Sequence, residues 1–394
     1  MFRSCRFRSP SCAQVSLTLS RQYVTPRQLK TPASYYRGGT SRAVIFERRH
    51  LPEEKSRWDN IFRAVIGSPD PVNGRQLDGM GGGISSLSKV CVVEPSADPA
   101  ADIDYTFAAL GVRDDEVDYS SNCGNLSSAI GPFAVENGLV KPDLGQTQCT
   151  VRIKNTNTNK IIHATFPLDD HGSHAAHGDF TIDGVAGTAS RIELAFLNPA
   201  GSKTGVMLPT RKIVDHIDGI DATCIDVGNP CVFVSAHALK VPGDMTPDAI
   251  DAHPALHQRL ESIRRQAGVK MGLAGSSDGI PGSIPKIAIV SQSPSNASSH
   301  ITVRALSVGQ PHRAVPITVA LSLATAVRIP GSIVNQACTN IPDRGAGLTI
   351  AHASGSITVN AEVDVDNLTV SHASVFRTAR LLMKGDIFWK EREI

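Results

Sequence analysis

Short apolar segments separated by glycine-rich turns follow one another along the chain from Pro32 onward. Segments of this length, rich in β-branched residues and bounded by turn residues, are typical of β-strands. In the first half they are Ala43–Phe46, Val90–Val93, Asp104–Phe107, Val151–Ile153, Ile161–Phe166 and Arg191–Phe196. In the second half they are Thr223–Asp226, Cys231–Ser235, Ile287–Ser291 and Ile301–Leu306. The pattern therefore predicts a chain built mainly of strands.

Helical segments are fewer, namely Lys55–Ile66, Leu126–Asn137 and two near 248–267 and 314–328. The second is the best defined, because Ser121 and Asn122 precede it as capping residues and Gly138 follows it as a stop signal. Pro132 inside it predicts a kink or a later start, since proline removes a hydrogen bond from a helix interior. Each half of the chain thus places a turn rich in Gly, Asn or Ser just before an apolar helix.

This order of elements predicts an α+β fold with two domains, at residues 32–205 and 206–394. The last predicted strand, near 374–390, is expected to return to the first domain. Sequence identity between the halves is too low to show a repeat by inspection. A ligand site is expected in the cleft between the domains, where such sites commonly lie.

Residues 1–31 differ from the rest of the chain in composition. They are rich in Ser and Thr, no acidic residue occurs before Glu47, and the arginines are Arg3, Arg6, Arg8, Arg21 and Arg27. An Arg-rich, Ser-rich and acid-poor start is typical of an organelle transit peptide. We therefore expect a mitochondrial protein; a disordered tail on a cytoplasmic protein is the alternative.

The overall composition excludes several classes of protein. Of the 394 residues, 41% are hydrophobic and 19% are charged, and the net charge of +2 favours neither a nucleic-acid nor a membrane partner. The apolar run at 314–327 is too short to cross a bilayer. The eight cysteines are scattered without a C-x-x-C pair, which argues against a disulfide scaffold and a structural zinc site.

The segment Leu77–Lys89 is the first candidate for chemistry. Its four glycines and three serines supply many N–H and O–H donors, as in anion-binding nests, and Ser85 and Ser86 are among them. It matches neither a dinucleotide-binding fingerprint nor a phosphate-binding P-loop. Lys89 ends the loop and begins an apolar strand, so partial desolvation is expected to lower its pKa toward the range of a base. A surface lysine after a turn is the alternative.

Cys123 is the second candidate, within Asp118–Asn125. A cysteine at a helix N-terminus is favoured as thiolate by the helix dipole, although most cysteines are inert apolar residues. Asn122, Gly124 and Asn125 offer donors that suit a carboxylate at the same place.

Other loops offer weaker candidates. Arg37, Thr40 and Ser41 present a guanidinium and hydroxyls for a carboxylate, and Ser202, Lys203 and Thr204 form a further predicted anion nest. His312 precedes the last apolar helix and is a polar candidate. The histidines at 171, 174 and 177 lie in a predicted exposed turn, so a metal site is not expected.

Taken together, these motifs resemble the PrpF family of isomerases, which is related to the diaminopimelate-epimerase superfamily. The resemblance extends from Tyr36 to Gly385 and is carried by Arg37–Ser41, Asp78–Lys89, Ser121–Asn125, Gly131–Phe133, Ile182–Thr188, Gly201–Gly205, Leu208–Thr210, Cys224–Asp226, Arg304 with Gly309 and His312, and Arg377–Arg380. It implies two pseudo-symmetric domains, each a mixed sheet wrapped around a central helix. A second catalytic cysteine, used by the epimerase relatives, has no counterpart in Gln310–Thr318.

The resemblance also implies an activity. Family members isomerise aconitate, methylaconitate or methylitaconate, or tautomerise oxalomesaconate, without a metal or organic cofactor, and their catalytic lysine and cysteine fall on Lys89 and Cys123. We therefore expect a proton shift on a small anionic polycarboxylate. A homodimer is one candidate for the oligomeric state. A cysteine hydrolase pairing Cys123 with His312 and a non-enzymatic carboxylate-binding protein are the rival hypotheses.

Overall fold

The structure, a computed structural model, describes residues 28–294, 297–343 and 346–390. The predicted transit peptide therefore lies almost wholly outside the described residues. The last residues of this segment are described, and they belong to the fold. The first strand begins at Leu29, and Trp389 Nε1 donates a hydrogen bond of 3.0 Å to Thr31 Oγ1. The fold starts earlier than predicted because these residues pair with the far end of the chain, which local composition does not reveal.

The described part of the first half contains eight strands and two α-helices. The strands are β1 (Leu29–Gly38), β2 (Ser41–Glu47), β3 (Lys89–Pro95), β4 (Ile103–Leu110), β5 (Val117–Asp118), β6 (Gln148–Asn155), β7 (Lys160–Pro167) and β8 (Ile192–Leu197). The helices are α1 (Trp58–Ile66) and α2 (Gly124–Glu136). Helix α2 begins two residues before the predicted start and continues through Pro132.

The second half holds the remaining described elements. The strands are β9 (Asp215–Ile217), β10 (Ile220–Val227), β11 (Asn229–Ser235), β12 (Lys286–Gln292), β13 (Ile301–Ser307), β14 (Gln310–Pro311), β15 (Leu348–His352), β16 (Gly355–Asp364), β17 (Thr369–Arg377) and β18 (Ala379–Trp389). The helices are α3 (Ala236–Leu239), α4 (Pro247–Asp251), α5 (Pro254–Lys270), α6 (Ile317–Ala326) and α7 (Ile333–Ala337). The single helix predicted near 248–267 is thus two helices, α4 and α5.

The two halves repeat one order of strand pairings. In the first, β1 is antiparallel to β2, β2 parallel to β3, β3 antiparallel to β4, and β4 antiparallel to β5 and parallel to β6. In the second, β10 to β15 show the same sequence of orientations, with β11 parallel to β12 and β13 parallel to β15. Helix α1 follows β2 as α5 follows β11, and α2 follows β5 as α6 follows β14. The structure therefore reveals the repeat that the sequence comparison could not.

Each half wraps its sheet around one buried helix. Helix α2 contacts β1, β2, β6, β7, β8 and β18, and α6 contacts β10, β11 and β16. Every residue of α6 is buried, as are the first eleven of α2. Helices that are apolar on all sides pack in a core in this way. The predicted α+β class is confirmed.

The last two strands complete the sheet of the first half. Strand β17 is antiparallel to β8, and β18 is antiparallel to β1. The domain boundary between residues 205 and 206 stays a prediction.

Candidate active site

Lys89 lies buried at the first position of β3. Its side chain is 6% exposed, and its Nζ lies 5.2 Å from the centroid of the Phe107 ring on the adjacent β4. This contact is a cation–π interaction, which holds the amine against an apolar wall. The alternative of a surface lysine after a turn does not fit this burial.

Gln76 fixes the glycine-rich loop that precedes Lys89. Its Oε1 accepts hydrogen bonds from the N–H of Gly83 at 2.9 Å and from the hydroxyl of Ser88 at 2.7 Å. Its Nε2 donates to Ser68 Oγ at 2.7 Å. The loop is therefore tied internally, and Gln76, which ties it, lies just outside the segment Leu77–Lys89.

Cys123 is the N-cap residue of α2 and is half-buried. Its Sγ lies 4.0 Å from Ser41 Oγ, at the start of β2. A Cβ placed on the next residue, Gly124, would lie 2.7 Å from Ile317 Cβ, in the first turn of α6. Glycine at this position therefore allows the N-termini of the two central helices to meet.

An enclosed cavity of about 30 Å³ lies at this meeting point. Its walls contain eight of the predicted site residues: Ser41, Ser85, Lys89, Asn122, Cys123, Gly124, Asn125 and His312. The structure thus brings the two predicted catalytic residues into one cavity between the two halves of the chain.

Two polar atoms in the cavity wall lack a hydrogen-bond partner among the described residues. They are Asn122 Oδ1 and His312 Nε2, and both are buried. Buried polar atoms are almost always paired, so unpaired ones at a cavity indicate a place for a ligand. Burial, reinforced by the charges of Lys89 and Lys286, lowers the pKa of His312 to about 3, so its imidazole is neutral at physiological pH.

The second half supplies wall residues that the sequence interpretation missed, above all Lys286, with Ser283, Ser307 and Thr318. Lys286 is 6% exposed, and its Nζ donates to the carbonyl oxygen of Ser283 at 2.9 Å. A sequence pattern that points to Lys286 is present. The segment Ser-Ile-Pro-Lys at 283–286 matches Ser-Leu-Ser-Lys at 86–89, and an apolar strand follows each.

Asn229 joins the two halves beside the cavity. Its Oδ1 accepts from the N–H of Asn122 at 3.0 Å, and its Nδ2 donates to the carbonyl of Asn122 at 2.8 Å and to Thr318 Oγ1 at 3.1 Å. A second tie runs from the N–H of Ser283 to Asp118 Oδ2 at 2.8 Å. These bonds fix the position of Asn122 relative to α6.

The predicted anion nest at Ser202–Thr204 does not reach this cavity. Its anion is the buried carboxylate of Asp226, which accepts from Ser202 Oγ at 2.5 Å, from the N–H groups of Lys203 and Thr204 at 2.8 Å each, and from Thr204 Oγ1 at 2.9 Å. The donors were correctly recognised, but the acceptor belongs to the protein, so these three residues are not retained as substrate ligands.

Asp226→Ala is therefore expected to destabilise the fold rather than weaken ligand binding. Only the Ser202 hydroxyl is fully buried among the four donors, and the other three are part-buried. A buried donor left unpaired costs about 1–3 kcal/mol, so a loss of at least that size is expected. Urea unfolding measures this loss, with Asp221→Ala on exposed β10 surface as the control. If Asp226→Ala is as stable as the wild type but binds a carboxylate more weakly, Ser202–Thr204 would again be a candidate substrate site.

Arg37, Thr40 and Ser86 also lie outside the enclosed cavity. Arg37 Nη1 donates to Gly39 O at 3.0 Å and to Thr378 O at 2.9 Å, so it supports the turn between β1 and β2. Thr40 and Ser86 line a neighbouring cavity of about 450 Å³, which shares Ser85 and His312 with the enclosed one.

The cysteine-hydrolase hypothesis finds little support in the site. In the described part of the chain no hydrogen bond joins Cys123 to His312, as a cysteine hydrolase would need. His174 Nε2 is bonded to Ser190 Oγ at 3.0 Å and its ring packs on Phe166, which makes it a structural residue. Residues 28–294, 297–343 and 346–390 contain no group of three or more His, Cys, Asp or Glu arranged to hold a metal ion.

No helix in the described ranges is both long and apolar enough to cross a bilayer.

Known proteins resemble this chain over most of its length. A 2-methyl-aconitate isomerase from Shewanella oneidensis is 38% identical in an alignment that covers 91% of this chain and 97% of the relative. A 4-oxalomesaconate tautomerase from Pseudomonas putida is 37% identical over 358 residues, covering 91% and 96%.

Solved structures support the same relationship. A methylitaconate-delta-isomerase superposes with a TM-score of 0.72 at 34% identity, covering 92% of this chain and 96% of the other. A hydroxyproline epimerase from Agrobacterium vitis superposes with a TM-score of 0.54 at 10% identity over 91% and 92%, which shows the epimerase-type fold alone. The sequence model of the PrpF protein family matches residues 28–390. The chain therefore belongs to the PrpF family, and the relatives it matches there are isomerases.

Proposed function

We propose that this isomerase moves a proton along a small unsaturated di- or tricarboxylate such as aconitate or methylaconitate, with Lys89 and Cys123 as its acid/base pair. The observation that carries the proposal is that these two side chains line one enclosed cavity whose wall also contains unpaired polar atoms. The relatives named for methyl-aconitate and methylitaconate isomerisation support the substrate class.

The reaction is a 1,3-proton shift next to a carbon–carbon double bond conjugated to a carboxylate. A base takes a proton from the γ-carbon, and the electron pair of that C–H bond spreads into a dienolate that extends onto the carboxylate oxygens. A proton then returns at the α-carbon, and the double bond has moved by one position. The reaction is balanced without an oxidant, a reductant or a second substrate.

Lys89 is assigned as the base and Cys123 as the acid. Lys89 takes the γ-proton in its uncharged amine form, and the thiol of Cys123 gives its proton to the α-carbon. The resulting ammonium and thiolate return to their starting states by proton exchange with water after product release. Groups of this kind contribute typically ~10²–10⁴-fold each to the rate.

The helix N-termini provide the stabilisation that the dienolate needs. The first residues of α2, Gly124 and Asn125, and of α6, Ile317 and Thr318, form part of the cavity wall. Free N–H groups and the positive end of the helix dipole favour an anion at both places. Donors aimed at charge that develops in the transition state usually supply the largest catalytic term.

The enclosed cavity alone has room for little more than a water molecule. The adjoining cavity of about 450 Å³ shares two of its wall residues, and the N–H of Ser85 meets Gln310 Oε1 at 2.8 Å across the boundary. We infer that a bound tricarboxylate extends from Lys89 and Cys123 into this second cavity, past Ser85 and His312. Thr40 and Ser86 then meet the outer end of the substrate.

The activity is tested by incubating the protein with cis-aconitate, methylaconitate and itaconate homologues and following the olefinic protons by NMR. Migration of the double bond or cis-trans isomerisation in at least one of these acids is the expected result. Binding of the acids without any conversion would favour the non-enzymatic carboxylate-binding protein.

A tautomerase acting on 4-oxalomesaconate is the second candidate, favoured by the relative of that name at 37% identity. It uses the same proton shift, so the same pair of residues would serve. Faster conversion of 4-oxalomesaconate than of any aconitate would select it.

A mitochondrial address and a homodimer remain separate proposals. The first is tested by sequencing the N-terminus of the protein isolated from its cells, and the second by light scattering.

A further inference from the structure

Lys286 occupies in the second half the place that Lys89 occupies in the first. Lys89 is the first residue of β3, and Lys286 is the first residue of β12. Strand β3 follows α1 and runs parallel to β2, the strand before that helix. In the same way, β12 follows α5 and runs parallel to β11. The repeat therefore brings one lysine from each half into the wall of the enclosed cavity.

Lys286 has no anionic partner at hydrogen-bond distance among the described residues. Its Nζ donates to the carbonyl oxygen of Ser283, and the carboxylate of Asp118 accepts from the N–H of Ser283 at 2.8 Å. Burial raises the pKa of the neighbouring Cys231 thiol to about 12, so that group is neutral. A buried ammonium without a counter-ion is costly, and a ligand carboxylate would offset that cost.

Polar residues of the second half share the cavity wall with Lys286. Ser283, Ser307 and Thr318 belong to it, as does the start of α6. Thr318 Oγ1 accepts a hydrogen bond from Asn229 at 3.1 Å, which leaves its own proton free to donate. An ammonium, hydroxyls and helix N–H groups together are the donor set that a carboxylate requires.

We propose that Lys286 is the cationic ligand of a second substrate carboxylate, so that the cavity takes acids with at least two carboxylates, one held toward each half of the chain. The inference rests on the proposed function, since it names a ligand within the same cavity. It assigns to Lys286 a binding role, whereas Lys89 has the catalytic one.

The charge of Lys286 depends on pH within an accessible range. Burial lowers its pKa from 10.5 to about 8; Lys89 on β3 acts in the same direction and Asp118 on β5 acts against it, whereas Cys231 on β11 and Cys123 at α2 would oppose it only as thiolates. His312, before α6, is neutral there. The ammonium is therefore present below pH 8 and lost above it, so affinity for a polycarboxylate falls as the pH rises through 8.

The test uses tricarballylate, a saturated tricarboxylate that has no double bond to move, and isothermal titration calorimetry between pH 7 and pH 9. With a pKa of about 8, the dissociation constant of the wild type is expected to rise about tenfold over this range. Lys286→Gln is expected to weaken binding at pH 7 by at least tenfold and to remove this rise. Lys286→Arg keeps its charge throughout, so its affinity is expected to change little with pH.

Lys160→Gln is the matched control. The amine of Lys160 also donates to a backbone carbonyl, that of Ala200 at 2.7 Å, and burial also lowers its pKa, but it lies away from the cavity. This variant should bind tricarballylate as the wild type does.

Two results would overturn the inference: a Lys286→Gln variant that binds with wild-type affinity and pH dependence, or a wild type that does not bind tricarballylate. If the proposed function is wrong but the inference about Lys286 holds, tricarballylate still binds and no unsaturated acid is converted.

Discussion

Lys89→Met is expected to reduce kcat by at least ~10²-fold, the lower range for loss of an acid/base group. Methionine keeps most of the apolar side chain, but it lacks the amine that lies over Phe107 and cannot accept the γ-proton of the substrate. Because Lys286 still provides a cation in the cavity, KM is expected to change much less than kcat. Steady-state kinetics on whichever acid the NMR screen identifies measures both constants.

Lys160→Met serves as the control for this variant, since it removes another partly buried lysine that lies away from the cavity. A thermal unfolding curve close to that of the wild type shows that Lys89→Met is folded. Turnover within a few-fold of the wild type in the folded variant would remove Lys89 from the mechanism.

Cys123→Ser is expected to show a large loss in kcat with little change in KM. Serine retains the size and the N-cap position of the cysteine, but its hydroxyl is a far weaker acid than a thiol. The variant should therefore bind substrate normally and fail in proton transfer, which is the kinetic pattern of an interaction needed in the transition state.

Chemical labelling provides a second measurement on the same residue. Cys91, Cys149, Cys224 and Cys231 are buried, so Cys123 and Cys338 are the reachable thiols in the described part of the chain. Burial raises the pKa of the Cys338 thiol. Iodoacetamide should therefore modify Cys123 faster than Cys338 near neutral pH, and tricarballylate should protect Cys123 alone.

Cys338→Ser is the matched control and should keep full turnover. If the label falls mainly on a buried cysteine and Cys123→Ser remains fully active, Cys123 is a packing residue. His312, which lines the same cavity, would then be the first residue to test as the partner of Lys89.

The local sequence singled out Lys89 and Cys123 as candidates, and the family resemblance implied their catalytic roles. Lys89 follows a glycine-rich loop and Cys123 precedes an apolar helix, so each motif lies within one short segment. Patterns of this kind also located most strands and the two central helices. The family resemblance then placed these segments in one fold, which the comparisons confirm.

The parts that the sequence did not predict depend on contacts between distant residues. The acceptor of the Ser202–Thr204 donors, Asp226, was missed because it lies further along the chain, in β10. Strand β1 was not predicted, and the fold was expected to begin at residue 32, because the pairing of Leu29 with Trp389 joins the two ends of the chain. Lys286 was overlooked because a lysine after Ser-Ile-Pro is unremarkable until the repeated strand order aligns it with Lys89.

The most direct test of the central claim, a proton shift by Lys89 and Cys123, is the isotope content of the product formed in D₂O. The protons of an amine and a thiol exchange with solvent. The γ-proton taken by Lys89 is therefore lost, and Cys123 returns a deuteron. NMR of the wild-type reaction is expected to show double-bond migration with close to one deuterium at the α-carbon of each product molecule. Product formed at the normal rate without deuterium would contradict the account, because the same proton would then have moved without passing between two exchangeable groups.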